Sequence, residues 1–247
     1  MALTTSRLAA GAAGIGTLAL LGGLFGVLLA RFGVLAPLQG FGLFAAGGLL
    51  GLVAVVVAVL GLRATRAGSG RAGRDRAWFG LATGAAMLAL VLFGASAGRG
   101  LPRINDITTD PNDPPAFEYT LRDPATRERD YTYPAGFAEQ QRAAYPDLAP
   151  ILLGVPPDRA FDAALDATRS LGLEVTLSDK SRGVIEARAT SSLFRFVDDV
   201  AIRVRPGPAA NSSVVDIRSK SRDGQGDLGA NANRIRNLTA LLASTGS

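Results

Sequence analysis

Three charge-free apolar runs constrain this chain more than any other feature. Ala9 to Ala30 and Phe41 to Leu62 are 22 residues each, and Trp78 to Ala97 is 20. At about 1.5 Å of helical rise per residue, each run reaches across a hydrocarbon layer about 30 Å thick. Backbone polar groups find no partners in lipid, so such runs must close their hydrogen bonds internally as helices. The sequence therefore predicts transmembrane helices over about 9–30, 41–62 and 78–97, within a membrane region spanning residues 1–98. The first run is longer than the apolar core of a signal peptide and lacks a clear small-x-small cleavage site, which favours its retention. Each span holds a GxxxG pair: Gly22 and Gly26, Gly47 and Gly51, Gly80 and Gly84. Such pairs allow close helix packing or dimerisation, although glycine is frequent enough here for random placement to give one pair per span. No ionisable residue interrupts a span, which argues against a transporter or proton relay.

The loop from Arg63 to Arg76 carries five arginines and one acid, Asp75. The first loop, Arg31 to Gly40, has one charge, and the N-terminus has only Arg7. The positive-inside rule places the arginine loop in the cytoplasm. Three spans then put the N-terminus inside and the chain beyond Ala97 outside. The expectation is a multi-pass protein of a bacterial inner membrane with a periplasmic or otherwise extracytoplasmic C-terminal domain. Trp78 and Phe79 suit the membrane–water interface.

Charge divides the chain in the same place. Up to Gly98 there are seven basic residues and one acid, whereas the remainder has 19 basic and 20 acidic residues. The basic excess belongs to the membrane half, so no nucleic-acid partner is expected. Cys and His are absent. That removes thiol nucleophiles, imidazole bases, thiolate and imidazole metal sites, and disulfides. No cofactor and no metal are expected.

Residues 99–150 are read as a Pro-rich extended arm. Ten prolines fall between Arg99 and Asp158, too many for long regular elements. Six aromatics in the same stretch argue that the arm lies on the domain, with a flexible tether as the alternative. Ile104 to Thr108 suits an edge strand and Ala138 to Ala144 a short helix. Residues 151–247 are read as an α+β domain. A helix starts at Pro157-Asp158 and stops at Gly172. Alternating strands follow at Leu173–Ser178, Val184–Thr190, Val200–Arg205 and Ser213–Ser219, each with one wet face. A last helix runs from about Leu228 to Leu242. This predicts a four-stranded antiparallel sheet with two helices packed on one face.

Three clusters are candidate sites. Ser219 to Ile235 contains Gly224, Gly226 and Gly229 in G-x-G-x-x-G spacing, but no parallel strand follows and Asp223 and Asp227 would repel a pyrophosphate. Asp227 is better placed as a helix N-cap, with Arg222 pairing with Asp227 or Asp223. Asn231, Asn233, Arg234 and Arg236 are then mostly solvated. Asp198 and Asp199 are adjacent carboxylates able to hold a cation or supply a general base, or to sit in a solvated turn. With Asp227 they are the weak catalytic candidates; no residue is assigned as catalytic. Asn105 and Asp106, within Pro102 to Asp110, can pin the arm. The binding or structural cluster is thus Asn105, Asp106, Arg222, Asp227, Asn231 and Arg234. Without His a serine hydrolase would need a lysine base, and neither Lys180 nor Lys220 sits in S-x-x-K.

Three phrases occur together: PRINDITTD with PPAF (Pro102–Asp110, Pro114–Phe117), AYPDL (Ala144–Leu148) and SRDGQGDLGANANRIR (Ser221–Arg236). They resemble the bacterial family catalogued as domain of unknown function 1499, over about Leu101 to Leu242. Leu173 stands where many members have Trp. The resemblance implies a membrane-associated or exported domain with no assigned activity. The functional expectation is a membrane-anchored module whose partners are the lipid bilayer and an envelope protein or lipid. The alternatives are a carboxylate-based hydrolase and a carrier of a small apolar ligand.

Overall fold

The computed structural model describes residues 4–245. The chain forms two compact units, one of residues 1–97 with 192–195 and one of 98–191 with 196–247.

In the first unit, α1 (Arg7–Arg31), α2 (Pro37–Ala64) and α3 (Arg74–Ser96) pack against one another. Each is long and apolar enough to cross a membrane. Ser6 Oγ accepts the Ala9 N–H at the start of α1 (3.4 Å). Pro37 opens α2, where a missing N–H is harmless, and Gln39 Oε1 accepts the Ala36 N–H at 3.1 Å. Thr4–Thr5 and the arginine loop meet at one end of the bundle. There β1 (Thr4–Thr5) pairs in parallel with β2 (Arg71–Ala72).

Apart from Met87 of α3, the buried interior of this bundle is built from small residues. Ala12, Gly16 and Ala19 of α1, Gly51 and Ala54 of α2, and Gly80 and Gly84 of α3 are buried. Leu18, Leu21, Phe25, Leu49, Leu92 and Phe93 point outward and are exposed. A water-soluble bundle has the reverse arrangement. Lipid tails are as apolar as leucine, so helices in lipid gain chiefly from close backbone approach, which small residues allow. Two of the GxxxG pairs make that approach. A Cβ on Gly51 would lie 2.7 Å from the Gly84 carbonyl oxygen, and one on Gly80 would collide with the Ala12 backbone. The pair on α1 is corrected by one position. Gly22 faces outward with nothing within 4 Å, and Gly23 and Gly26 form the contact instead.

The second unit is a six-stranded antiparallel sheet, not a four-stranded one. Its strands are β3 (Asp106–Thr108), β4 (Ile151–Leu153), β5 (Glu174–Asp179), β6 (Val184–Thr190), β7 (Val197–Pro206) and β8 (Ser213–Ser221). The order is β3-β8-β7-β6-β5, and β4 also pairs with β8. The two additional strands share the outer edge of β8. Asp106 to Thr108 pair with Lys220 to Arg218, and Ile151 to Leu153 with Val215 to Ser213. A bulge between Val175 and Leu177 breaks the expected alternation of β5, so Leu177 pairs with Glu186 while Val175 pairs with Ala187.

One sheet face is apolar. Ile185, Ile202 and Ile217 form a cross-strand row. They share a core with Phe161 and Ala164 of α5 (Pro157–Ser170) and with Ile235, Leu238 and Leu242 of α6 (Ala230–Thr245). The other face, expected to be wet, is buried. Glu186, Asp199 and Asp216 are fully buried, and Arg218 is 3% exposed. The cover is the Pro-rich stretch. Phe117 and Tyr131 pack on Ala201 at the centre of this face. Gln141 of α4 (Phe137–Ala144) clips the cover to β3, accepting from the Thr108 N–H (2.9 Å) and donating to its carbonyl (2.6 Å).

The contrast between Gly51 and Gly22 makes the bundle testable. Gly51→Leu forces a side chain into backbone atoms that cannot swing away, and overpacking of this kind destabilises by about 1–3 kcal/mol. We expect Gly51→Leu to lower the thermal midpoint of detergent-solubilised protein and Gly22→Leu to leave it unchanged.

Candidate functional site

The covered face is organised by register. Arg188 of β6, Asp199 of β7, Lys220 of β8 and Asp106 of β3 are successive cross-strand partners. Four strands thus present one row with alternating charge, and opposite charges directly across a strand pair attract. Asp106 accepts two bonds from Arg218, at 2.9 and 2.7 Å, and one from Lys220 at 3.1 Å. Asp199 accepts two from Arg222, both at 2.8 Å, and one from the Tyr131 hydroxyl. Asp216 accepts from Arg203 (2.9 Å) and Arg205 (2.9 Å). Burial, with the bond to Asp199, raises the Tyr131 pKa far above that of a free phenol. Burial also pushes Tyr133 up to about 12.

Glu186 is held differently. Its carboxylate accepts the N–H groups of Glu118 (2.6 Å), Tyr119 (2.8 Å) and Thr120 (2.8 Å), and the Thr120 hydroxyl (2.6 Å). These donors stand at the start of a 3-10 turn, Thr120–Arg122, whose first N–H groups have no partner within the turn. A strand carboxylate therefore caps a turn of the arm.

The sequence-predicted residues separate into two groups. Asp198 and Asp199 are neighbours on a strand, so they project to opposite faces. Asp199 joins the covered row with Arg222 and Asp106. Asp198 lies on the helix side, where Arg234 binds it at 2.7 Å. The two carboxylates cannot share one cation. Around Asp198, Arg234 and Ser219 both donate to Asn231 Oδ1 (2.6 and 2.7 Å), and Asn231 Nδ2 reaches Ser221 Oγ (3.0 Å). Asn231 is fully buried; it is a core residue, not a solvated one. Asn105 Nδ2 donates to the Gly224 carbonyl at 2.7 Å and steadies the glycine turn. Asp227 accepts the N–H groups of Gly229 (3.0 Å) and Asn231 (2.7 Å), which makes it the cap of α6. Arg222 pairs with Asp199, not with Asp227 or Asp223; Asp223 pairs with Arg129 at 3.2 Å. Gly224 and Gly229 both have φ of 84°, so the glycines serve a turn. Among the described residues no group of three or more Asp and Glu could hold a metal.

The residues that sequence reasoning missed are Glu186, Asp216, Arg218, Arg203 and Arg205. Their signal was complementary sign at paired positions, which alternation alone does not reveal.

Two clefts open on this unit. One, of about 430 Å³, is bounded by Thr109, Asp110, Gln141, Arg142, Tyr145 and Leu148 among others. The second, of about 260 Å³, is lined by Asn105, Arg129, Asp130, Tyr131, Lys220, Ser221 and Arg222. Lys220 makes a single hydrogen bond there, to Asp106, and its ammonium lies 5.8 Å from the Tyr131 ring centre. The profile of the family described as "Protein of unknown function (DUF1499)" matches residues 106–242, more than half of the chain. The chain belongs to this family. No curated protein matches it. The DUF1499 phrases meet in space. Asn105 and Ser221–Arg222 share the smaller cleft, Thr109–Asp110 and Tyr145–Leu148 border the larger one, and Arg236 grips Asp147 at 2.6 and 2.8 Å.

Substitutions at two positions check these assignments in full-length protein, read by pulse proteolysis in urea. Glu186→Ala strands three N–H groups at about 1–3 kcal/mol each, so the arm should become the first site of cleavage and stability should fall by more than about 3 kcal/mol. At Asp227, burial raises the pKa. The folded pKa exceeds the unfolded one, so the stability present at low pH declines as pH rises through the folded value. Asp227→Asn keeps an acceptor and should flatten that decline with near-native stability at neutral pH, whereas Asp227→Ala should lose about 1 kcal/mol.

Proposed function

We propose that this chain is a membrane-anchored, non-catalytic module of the bacterial cell envelope. Its three apolar helices lie in the inner membrane with the N-terminus and Arg63–Arg76 in the cytoplasm. Its DUF1499 domain lies outside and binds an envelope protein or lipid. One observation carries the non-catalytic reading: each candidate carboxylate is already committed. Asp198 is paired with Arg234, Asp199 with Arg222 and Tyr131, and Asp227 caps α6. A general base must come within reach of a substrate proton, whereas Asp198 and Asp199 are buried against arginines and Asp227 is turned to the start of α6. The carrier reading has no support from the helix side of the sheet, where Ile235, Leu238 and Leu242 are fully buried in a shared core. The clefts of the arm side are the natural places for recognition, since small sites are concave with a few convergent polar groups.

The topology is tested by alkaline phosphatase fusions in bacteria. A fusion after Leu242 should be active and a fusion after Ser69 inactive; the reverse pattern would overturn the orientation. Recognition is tested by a photocrosslinker at Asn112 or Arg129. A product that forms at these positions and not at Asp166 on the exposed side of α5 supports the cleft reading, and equal labelling at all three sinks it.

A further inference from the structure

The helical unit carries its charge at one end. Arg63, Arg66, Arg71, Arg74 and Arg76 lie in the loop and adjoining turns, and the pairing of Thr4–Thr5 with Arg71–Ala72 brings Arg7 to the same end. All six are exposed. Asp75 is the only acid in this part of the sequence. The ion pairs among the described residues all fall in the second unit, so no carboxylate of the bundle neutralises these arginines. One of them, Arg74, donates to the Leu62 carbonyl at 3.1 Å, where it closes the end of α2. Directly next to the arginines the surface is apolar: Leu8, Leu60, Trp78 and Phe79 are 41%, 44%, 53% and 53% exposed.

An apolar girdle ending in unpaired guanidinium groups is a phosphate-binding rim when the girdle is lipid-facing. Arginine stems lie along apolar surface with their heads at the polar boundary, and a guanidinium donates two parallel bonds to a phosphate. We propose that the arginine end of the bundle binds acidic phospholipid headgroups and enriches net-negative phosphodiesters around Arg63, Arg66, Arg71 and Arg76. The inference rests on the membrane reading above. Continuity with the exposed apolar girdle selects a lipid headgroup over a soluble phosphate, and six cations against one anion select an acidic lipid over a zwitterionic one.

Trp78 is the only tryptophan, two residues beyond Arg76, so its fluorescence reports lipid at this rim. Full-length protein would be reconstituted in symmetric vesicles, which makes insertion direction immaterial. Brominated phosphatidylcholine or brominated phosphatidylglycerol would be added at the same small mole fraction. The brominated acidic lipid should quench Trp78 with an apparent local excess of about fivefold over the brominated zwitterionic lipid, the ratio one arginine's attraction to an acidic surface produces. Raising salt to about 1 M, where the Debye length is about 3 Å, should shrink the excess. The triple variant R63Q/R66Q/R71Q should bring it close to one while leaving quenching by brominated phosphatidylcholine intact. Replacing chloride by inorganic phosphate at equal ionic strength should leave the excess unchanged. Equal quenching by the two lipids overturns the proposal while the membrane reading stands. Loss of the excess specifically in phosphate reveals a soluble-anion site and also overturns it. Quenching by neither lipid removes the membrane reading and this proposal with it.

Discussion

Arg218 is the side chain on which the folded unit turns. It binds both oxygens of Asp106, the carbonyl of Pro115 at 3.2 Å and the carbonyl of Tyr131 at 2.7 Å. Its guanidinium also stands 4.9 Å from the Phe117 ring centre and 5.6 Å from that of Tyr133. A charge taken out of water is unfavourable unless its donors are filled. Here the fillers come from β3 and from separate points along the arm, so the arm has to lie where it does. Cation–π contact with two rings adds to the attraction in a water-poor layer. The same demand extends over the covered face, where Asp106, Asp199 and Asp216 each accept from more than one cation or hydroxyl. Saturation, more than net attraction, is what makes a buried charged layer tolerable.

The helical unit solves the opposite problem. It has no ion pair among its described residues, and Met87 is the one large side chain fully buried within it. Its helices touch through glycine and alanine, with backbone carbonyls near enough that a methyl group would clash. In water such an interior would leave leucine and phenylalanine exposed with nothing to offset it. In lipid those residues are at home, and dispersion between close backbones supplies the contact. One chain therefore holds units stabilised by different physics, which is why whole-chain averages of charge and hydropathy describe neither.

The parts legible in sequence are those set by local rules. Span length fixes where α1 to α3 begin and end to within a few residues. Pro157 and Gly172 bracket α5, and Asp227 precedes α6 as its cap. The edge strand expected at Ile104–Thr108, which forms over Asp106–Thr108, and the helix ending before Tyr145-Pro146 were also visible, because each lies between clear breakers. What was hidden depended on partners far away in sequence. Alternation along β6, β7 and β8 reveals a polar face, but only the register shows that Arg188, Asp199, Lys220 and Asp106 align. Only the arm's path shows that this face is covered. β4 escaped because Ile151–Leu153 is too short to show a period. The bulge in β5 escaped because Thr176 looks like any other strand residue. Gly22 misled because a spacing rule locates a helix face only to within one residue.

This distinction bears on where function can lie. The phrases that carry the family resemblance are largely explained by packing. Arg103 meets Gln225 at 3.1 Å, Asn105 holds Gly224, and Arg236 grips Asp147 while lying over Tyr145. These contacts account for the motifs as parts of a shared fold. Several cations keep donors to spare. Lys220 uses one of three ammonium donors, and the arginines at the end of the bundle have no acidic partner among the described residues. All are cations, and all sit beside aromatic or apolar surface. For the arginines at the end of the bundle, the proposed acidic headgroup supplies both the anion and the apolar attachment.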